Sequence, residues 1–156
     1  MKTTPRYGRK ADRALGMWVK LARAYSTFSR LAVEDIRRHG LTQPQFGIIE
    51  SLGHLGHMTL GDLSRKQLSS CGNTTVVVDN LEKEGLVERR GCKEDRRSIY
   101  VHLTPKGKRR FDGIFLQHAK FIQEISSVIS AQEQDQLSGL LKKLGLALAD
   151  HVKPGD

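Results

Sequence analysis

Hydrophobic positions along this chain recur with a helical period through both ends and switch to strict alternation once, past the middle. Between Ala11 and His39, Leu15, Val19, Ala22, Tyr25 or Ser26, Ser29 and Val33 trace an approximate helical stripe. Lys20, Arg23, Arg30 and Arg37 lie largely off it, and Gly40 ends the run. Leu41-Thr42-Gln43-Pro44-Gln45-Phe46 then starts a second helix. Thr42 is its cap, Gln45 the partner in a capping box, and Pro44 is tolerated in the first turn. Leu41 and Phe46 are spaced as a hydrophobic staple. Ile48, Ile49 and Leu52 continue that helix until Gly53-His54-Leu55-Gly56-His57 breaks the pattern. Thr59 caps a third, shorter helix running to about Gln67, with Met58 and Leu63 as a second staple pair.

The stretch from Ser69 to Thr104 organises the rest. Its helix opens on small polar residues and turns apolar at Val77, Val78 and Leu81, and Gly85 stops it in the position of a left-handed C-terminal residue. Leu86 to Arg90 reads as a strand, and Ile99-Tyr100-Val101-His102-Leu103 alternates with period two. The loop between them, Gly91 to Ser98, is dense in cations. Two short helices joined by a turn of about three or four residues form a helix-turn-helix, and the hairpin beside them is a wing. Beyond it, Thr104-Pro105 caps and starts a helix carrying Phe111, Ile114, Phe115, His118, Phe121, Ile122, Ile125 and Val128. Ser130-Ala131-Gln132-Glu133 is a capping box for a last helix with Leu137, Leu140, Leu141, Leu144 and Leu148. The predicted fold is mainly α with a small β-wing. A winged helix-turn-helix reading head at 41–103 is flanked by dimerisation helices at 11–39 and 104–150, all within one domain of 1–156.

Composition narrows the class. The 156 residues are 38% hydrophobic and 28% charged, ordinary for a chain with a packed core. The formal net charge of +9 favours a polyanionic partner, which nucleic acid and anionic membrane both satisfy. No apolar run approaches a membrane span and the N-terminus lacks a signal-peptide core, so a cytoplasmic location is expected, with no membrane partner. Cys71 and Cys92 lack both a disulfide framework and CxxC spacing, and no cofactor is indicated. The long apolar stripes of the terminal helices exceed what the reading head can cover. A two-fold homodimer would bury them and place two recognition helices about one DNA turn apart; a monomer with folded-back helices is the alternative.

In its motifs the chain resembles the MarR (multiple antibiotic resistance regulator) family of bacterial transcription factors. The resemblance spans about Ala11 to Leu148. It is most specific in Asp79-Asn80-Leu81-Glu82-Lys83-Glu84-Gly85-Leu86-Val87-Glu88-Arg89, followed by Glu94-Asp95-Arg96-Arg97 and Val101-His102-Leu103-Thr104-Pro105-Lys106-Gly107. Gly40 to Phe46 matches that family's approach to the second helix. The resemblance implies an obligate dimer on palindromic double-stranded DNA operators, usually a repressor, released by a small phenolic or anionic ligand or an oxidant.

Spacing on the recognition helix assigns Leu81, Val78, Val77 and Thr74 to the core. That leaves Asn73, Thr75, Val76 and Asn80 for the groove, with Ser70 and Gly72 where the helix begins. Asparagine pairs with adenine, threonine reaches a base edge or phosphate, and Val76 suits a thymine methyl or is simply buried. The family commonly has a longer polar or cationic side chain in the place of Val76, so an A/T-leaning half-site is expected. In the wing, Asp95 and Arg97 match the family's Asp-x-Arg pattern, with Lys93 and Arg96 beside them. The resemblance implies that one arginine enters the minor groove or grips phosphate while the aspartate orients it; a solvated charge cluster on a hairpin tip is the alternative. Thr59, Arg65 and Lys66 are candidate phosphate contacts or a plain solvated face. The family's ligand pocket implies Trp18, Tyr25, Phe28, Phe46, Phe115 and His118, with Arg30 as anion partner; ordinary packing is the alternative for each.

Cys71, beside a helix N-terminus, is a candidate redox thiol or a small inert residue. His54 and His57, with His39, His118 and His151, match no metal signature, and no metal site is expected. Two functions of other classes compete with a DNA-binding repressor: a winged-helix module that binds protein instead of DNA, and a small thiol or histidine enzyme. The cations Arg89, Arg90, Lys93, Arg96 and Arg97 argue against the first. The lack of a nucleophile–base–acid trio argues against the second.

Overall fold

The computed structural model describes residues 6–67, 69–91 and 99–149. In order these form α1 (Arg9–Arg38), α2 (Gln43–Leu55), β1 (Met58–Thr59), α3 (Leu60–Lys66), α4 (Cys71–Lys83), β2 (Val87–Gly91), β3 (Ile99–Leu103), α5 (Pro105–Ser126) and α6 (Ala131–Ala149). The chain divides within α5 into two compact units, Met1–Ala119 and Lys120–Asp156. None of the described helices is long and apolar enough to cross a membrane.

In the first unit the helix ends are built as the sequence predicts. Gly40 and Gly85 adopt φ of 73° and 68°, the left-handed conformation that stops α1 and α4. Thr42 and Gln45 form a reciprocal capping box at α2, with the Thr42 N–H donating to Gln45 Oε1 at 2.9 Å. One core joins Ile36 of α1, Leu41, Phe46, Ile48, Ile49 and Leu52 around α2, Leu63 of α3, Val78 and Leu81 of α4, the sheet residues Val87 and Val101, and Phe111 and Ile114 of α5. The mainly helical winged fold is therefore the fold observed.

Two details differ from the expectation. The second helix does not fade at Gly53 but continues to Leu55. Glycine stands at this helical position because the Phe111 ring lies about where a side chain would be: an added Cβ would sit 2.6 Å from three ring carbons. His54 then packs edge-on against Phe111 and Phe115. The hairpin also has a third strand. β1 pairs antiparallel with β3, in the order β1-β3-β2, with Met58 opposite Val101 and Thr59 opposite Tyr100. Two residues carry too little alternation to announce a strand, and the helix cap at Thr59 masks it.

In the second unit Ser130 and Glu133 form the predicted box: the Ser130 N–H donates to Glu133 Oε2 at 2.8 Å. Hydrogen bonds from the Ser130 backbone, then from its side chain, hold the Glu133 carboxyl below its usual range. No residue of α6 is buried, and Leu137, Leu140, Leu141 and Leu148 are exposed.

Candidate nucleic-acid interface

α4 is seated by one face and presents another. Thr74, Val78 and Leu81 are buried and Val77 is partly so, which is the i, i+4, i+7 spacing of a helix stripe. Ser70, Gly72, Asn73, Val76 and Asn80 are exposed and Thr75 is half-buried. Val76 is the outlier, an aliphatic side chain 57% exposed on a face otherwise small and polar.

Several of these polar groups also serve the helix itself. Ser70 is the N-cap, its hydroxyl accepting from the Asn73 N–H at 3.3 Å. The Asn73 side-chain amide donates to Ser69 Oγ at 3.0 Å, and the Thr75 hydroxyl to the Cys71 carbonyl at 2.8 Å. What remains free, as far as the described residues go, is the oxygen and second amide N–H of Asn73, acceptor capacity on Thr75, and the whole amide of Asn80. Cys71 is the first residue of α4 and exposed.

The base of the wing is tied to α4 by a group that charge counting misassigns. Arg89 is partly buried; its guanidinium donates to Asp79 Oδ1 at 2.6 Å and also pairs with Glu82, whose Oε1 accepts the Arg89 N–H at 2.9 Å. Burial works against the Arg89 charge, and the hydrogen bonds to Asp79 and then Glu82 outweigh it, so its pKa is raised. Arg89 is therefore an internal strut and not a free cation beside the helix tip. The sequence held the clue: Asp79 and Glu82 are three apart on one helix face.

On α3, Thr59 is the N-cap. Its hydroxyl donates to Asp62 Oδ2 at 2.7 Å and accepts from the Asp62 N–H at 3.1 Å. Arg65 pairs with Asp62. Of the three candidate phosphate contacts, only Lys66 is without a side-chain partner among the described residues. The bond from Thr59 lowers the Asp62 pKa, with the Arg65 bond and charge adding to it. A carboxylate with a depressed folded pKa adds stability above its unfolded value and loses it as pH falls through the folded one. Asp62→Asn is accordingly expected to flatten the acid limb of a stability-against-pH curve measured by denaturation; an unaltered limb would remove Asp62 from the cap. The wing residues Lys93, Asp95, Arg96 and Arg97, with Cys92, lie outside the described residues, as does His151.

The seven ligand-pocket candidates do not converge. Phe46 and His118 are core residues in edge contact at 4.8 Å, and His118 Nδ1 lies 2.8 Å from Asp35 Oδ2. Phe115 is partly buried against the same core. Trp18, Tyr25 and Phe28 are exposed on α1, at 61%, 69% and 40%. Tyr25 and Arg30 share an open concavity along α1 with Ser29 and Val33. Asp35 was not anticipated, although a histidine inside the apolar stripe of α5 signals a buried partner. His57 stacks on His102 at 4.8 Å, and burial, then the charges of His57 and Arg90, lower the His102 pKa. No three metal-ligating side chains gather among the described residues.

A capped α3, a turn, an α4 with a polar outer face and a three-stranded wing define a winged helix-turn-helix regulator. Residues 41–99 match the MarR family model. The chain is 36% identical over 137 residues to the uncharacterized HTH-type transcriptional regulator YkoM of Bacillus subtilis, covering 88% of this chain and 89% of that protein. It is 27% identical over 124 residues to the homoprotocatechuate degradative operon repressor of Escherichia coli, covering 78% and 83%.

Among solved structures, AbsC, a MarR family transcriptional regulator from Streptomyces coelicolor, superposes with a TM-score of 0.81 at 19% identity, covering 93% of this chain and 99% of that one. NadR in complex with 4-hydroxyphenylacetate gives 0.71 at 22%, covering 92% and 97%. A mutant of MarR from E. coli complexed with operator DNA gives 0.74 at 24%, covering 88% and 99%. The chain belongs to the MarR family: it is a DNA-binding transcriptional regulator, of a class that is not enzymatic.

Proposed function

We propose that the protein is a sequence-specific repressor that binds a palindromic operator as a homodimer and is released by a small phenolic or anionic ligand. The observation that carries this reading is the outer face of α4, where Asn73, Thr75, Val76 and Asn80 project from a helix whose opposite face is locked into the core. In the groove, Asn73 and Asn80 address adenine edges, Thr75 accepts from a base-edge donor, and Val76 meets a thymine methyl. Ser70 and Gly72 allow close backbone approach at the start of the helix. Lys93, Asp95, Arg96 and Arg97 supply grip in the flanking minor groove, Asp95 orienting an arginine, and Lys66 adds a phosphate contact. The complex of the E. coli MarR mutant with operator DNA, and the E. coli relative that is an operon repressor, support the same assignment.

Homodimerisation rests on the exposed apolar side chains of α1 and α6, which a second copy would cover. Ligand release rests on the complex of NadR with 4-hydroxyphenylacetate, a phenolic anion. The concavity holding Tyr25 and Arg30 offers an aromatic ring and a guanidinium to such a molecule. A ligand releases DNA only by preferring a dimer geometry that cannot span the two half-sites.

A gel shift on the DNA immediately upstream of the protein's own coding region, repeated at several salt concentrations, tests the reading. A specific, dimer-sized complex is expected. Arg97→Ala should weaken it and reduce the salt slope by about one, and Val76→Ala should weaken specific binding without altering non-specific binding. Binding that shows no sequence preference, or an unchanged slope for Arg97→Ala, would overturn it.

A further inference from the structure

The C-terminal end of α4 lies beside a second cationic feature that DNA recognition leaves unused. α5 opens Pro105-Lys106-Gly107-Lys108-Arg109-Arg110, and Lys106, Arg109 and Arg110 wall a concavity floored by Gly40, Leu41 and Leu86. α4 is 13 residues long, so at about 1.5 Å per residue this concavity is roughly 20 Å along the helix from Ser70 and Cys71, with Asn80 the nearest of the groove candidates.

The three cations differ in what holds them. Lys106 Nζ donates to the Glu84 carbonyl at 2.7 Å, and the Arg110 guanidinium donates to the His39 carbonyl. Each covers the carbonyl end of a helix, α4 and α1 respectively, where a cation is favoured. Those bonds fix the two side chains at the rim, yet they compensate only partial charge. Arg109 has no carboxylate partner among the described residues. Neighbouring cations that do have one, Lys108 with Asp112 and Arg38 with Glu34, are not part of the wall. Glu84, the one acid among the described lining residues, accepts from the Gln45 amide at 3.1 Å. Three positive charges against the single Glu84 carboxylate leave the concave lining net cationic, and a concave surface of net positive charge concentrates that potential.

We propose that this concavity binds a small anion carrying at least two negative charges, held by Arg109 and Arg110 as forks and by Lys106 as a point charge. Occupancy joins the end of α1, the end of α4 and the start of α5 through one ligand. None of its lining residues is among those assigned to the groove, and its test does not depend on DNA binding.

Isothermal titration of the full chain with pyrophosphate and, separately, citrate, at constant ionic strength set with sodium chloride, tests the proposal. Saturable binding of one anion per chain is expected with at least one of the two probes, and which of them binds distinguishes a phosphate from a carboxylate ligand. Arg109→Gln, which removes no bond within the described structure, should weaken it about tenfold, the loss of one charge-assisted contact. Lys20→Gln, an equal charge change on α1, should leave it unaltered. Heat that fails to saturate with either probe, or binding that Arg109→Gln leaves intact, overturns the site.

Discussion

Replacing His118 with leucine is expected to lower the stability of the protein by about 3 kcal/mol, the range for removing one partner of a buried pair. His118 and Asp35 each expose about a tenth of their side chains, and Nδ1 lies 2.8 Å from Oδ2. The leucine leaves the Asp35 carboxylate facing apolar neighbours without a partner, and that orphaned group, more than the lost bond, sets the cost. Asp35→Leu should be comparably damaging from the other side. The double variant Asp35→Leu/His118→Leu should be less destabilised than the sum of the two singles, since it removes both polar groups at once. Urea unfolding at one fixed protein concentration measures this, fixed because self-association makes stability depend on concentration. Simple additivity of the two singles would show that the residues do not form one unit. The pair links α1 to α5 beneath Phe46, so the single variants should also loosen the placement of the reading head relative to α1.

The elements whose outline comes from periodicity and caps were legible in the sequence. α2, α3 and α6 begin at Thr42, Thr59 and Ser130 because each offers a hydroxyl to a backbone N–H three residues on. Ser70 caps α4 in the same way, which the small polar run there did not single out. The faces of α4 followed from helical spacing alone, with Thr74, Val78 and Leu81 inside and Val76 outside. What sequence could not supply was pairing between elements distant in the chain. Asp35 meets His118 across 83 residues, and Arg110 meets the His39 carbonyl across 71. A periodic pattern says that a polar residue lies on an apolar face but not which group answers it. Arg89 shows the same limit at short range: its charge counts toward a basic patch in the sequence and is spent on Asp79 and Glu82 in the fold. The ligand-pocket residues were chosen for type, and type alone does not decide between the core positions of Phe46 and His118 and the exposed positions of Trp18 and Tyr25.

Glycine at 107 is the clearest case in which a helix position is set by a neighbour's backbone. In an ordinary helix interior, alanine is better than glycine by about 1 kcal/mol, through unfolded-state entropy. Gly107 lies buried in the first turn of α5, and a Cβ there would fall inside the van der Waals envelope of the Leu86 carbonyl oxygen and 2.9 Å from its carbon. The obstacle cannot rotate away, because it is main chain and is itself held: the Thr104 N–H donates to that carbonyl at 3.1 Å. Thr104 Oγ1 meanwhile donates to the Gly85 carbonyl and accepts from the Gly107 N–H at 3.0 Å, stapling the end of α4 to the start of α5. Gly107→Ala should therefore reverse the usual sign and destabilise by about 3 kcal/mol, as overpacking against a fixed wall does. Gly113→Ala, on the same helix with nothing within 4 Å of its added Cβ, should be neutral or stabilising by up to about 1 kcal/mol. Urea midpoints for the two variants make the comparison, and equal midpoints would mean that the close approach to Leu86 is not a constraint. Because relief of the clash requires α5 to move off the junction where α4 ends and β2 begins, Gly107→Ala should also weaken operator binding more than its Gly113 counterpart.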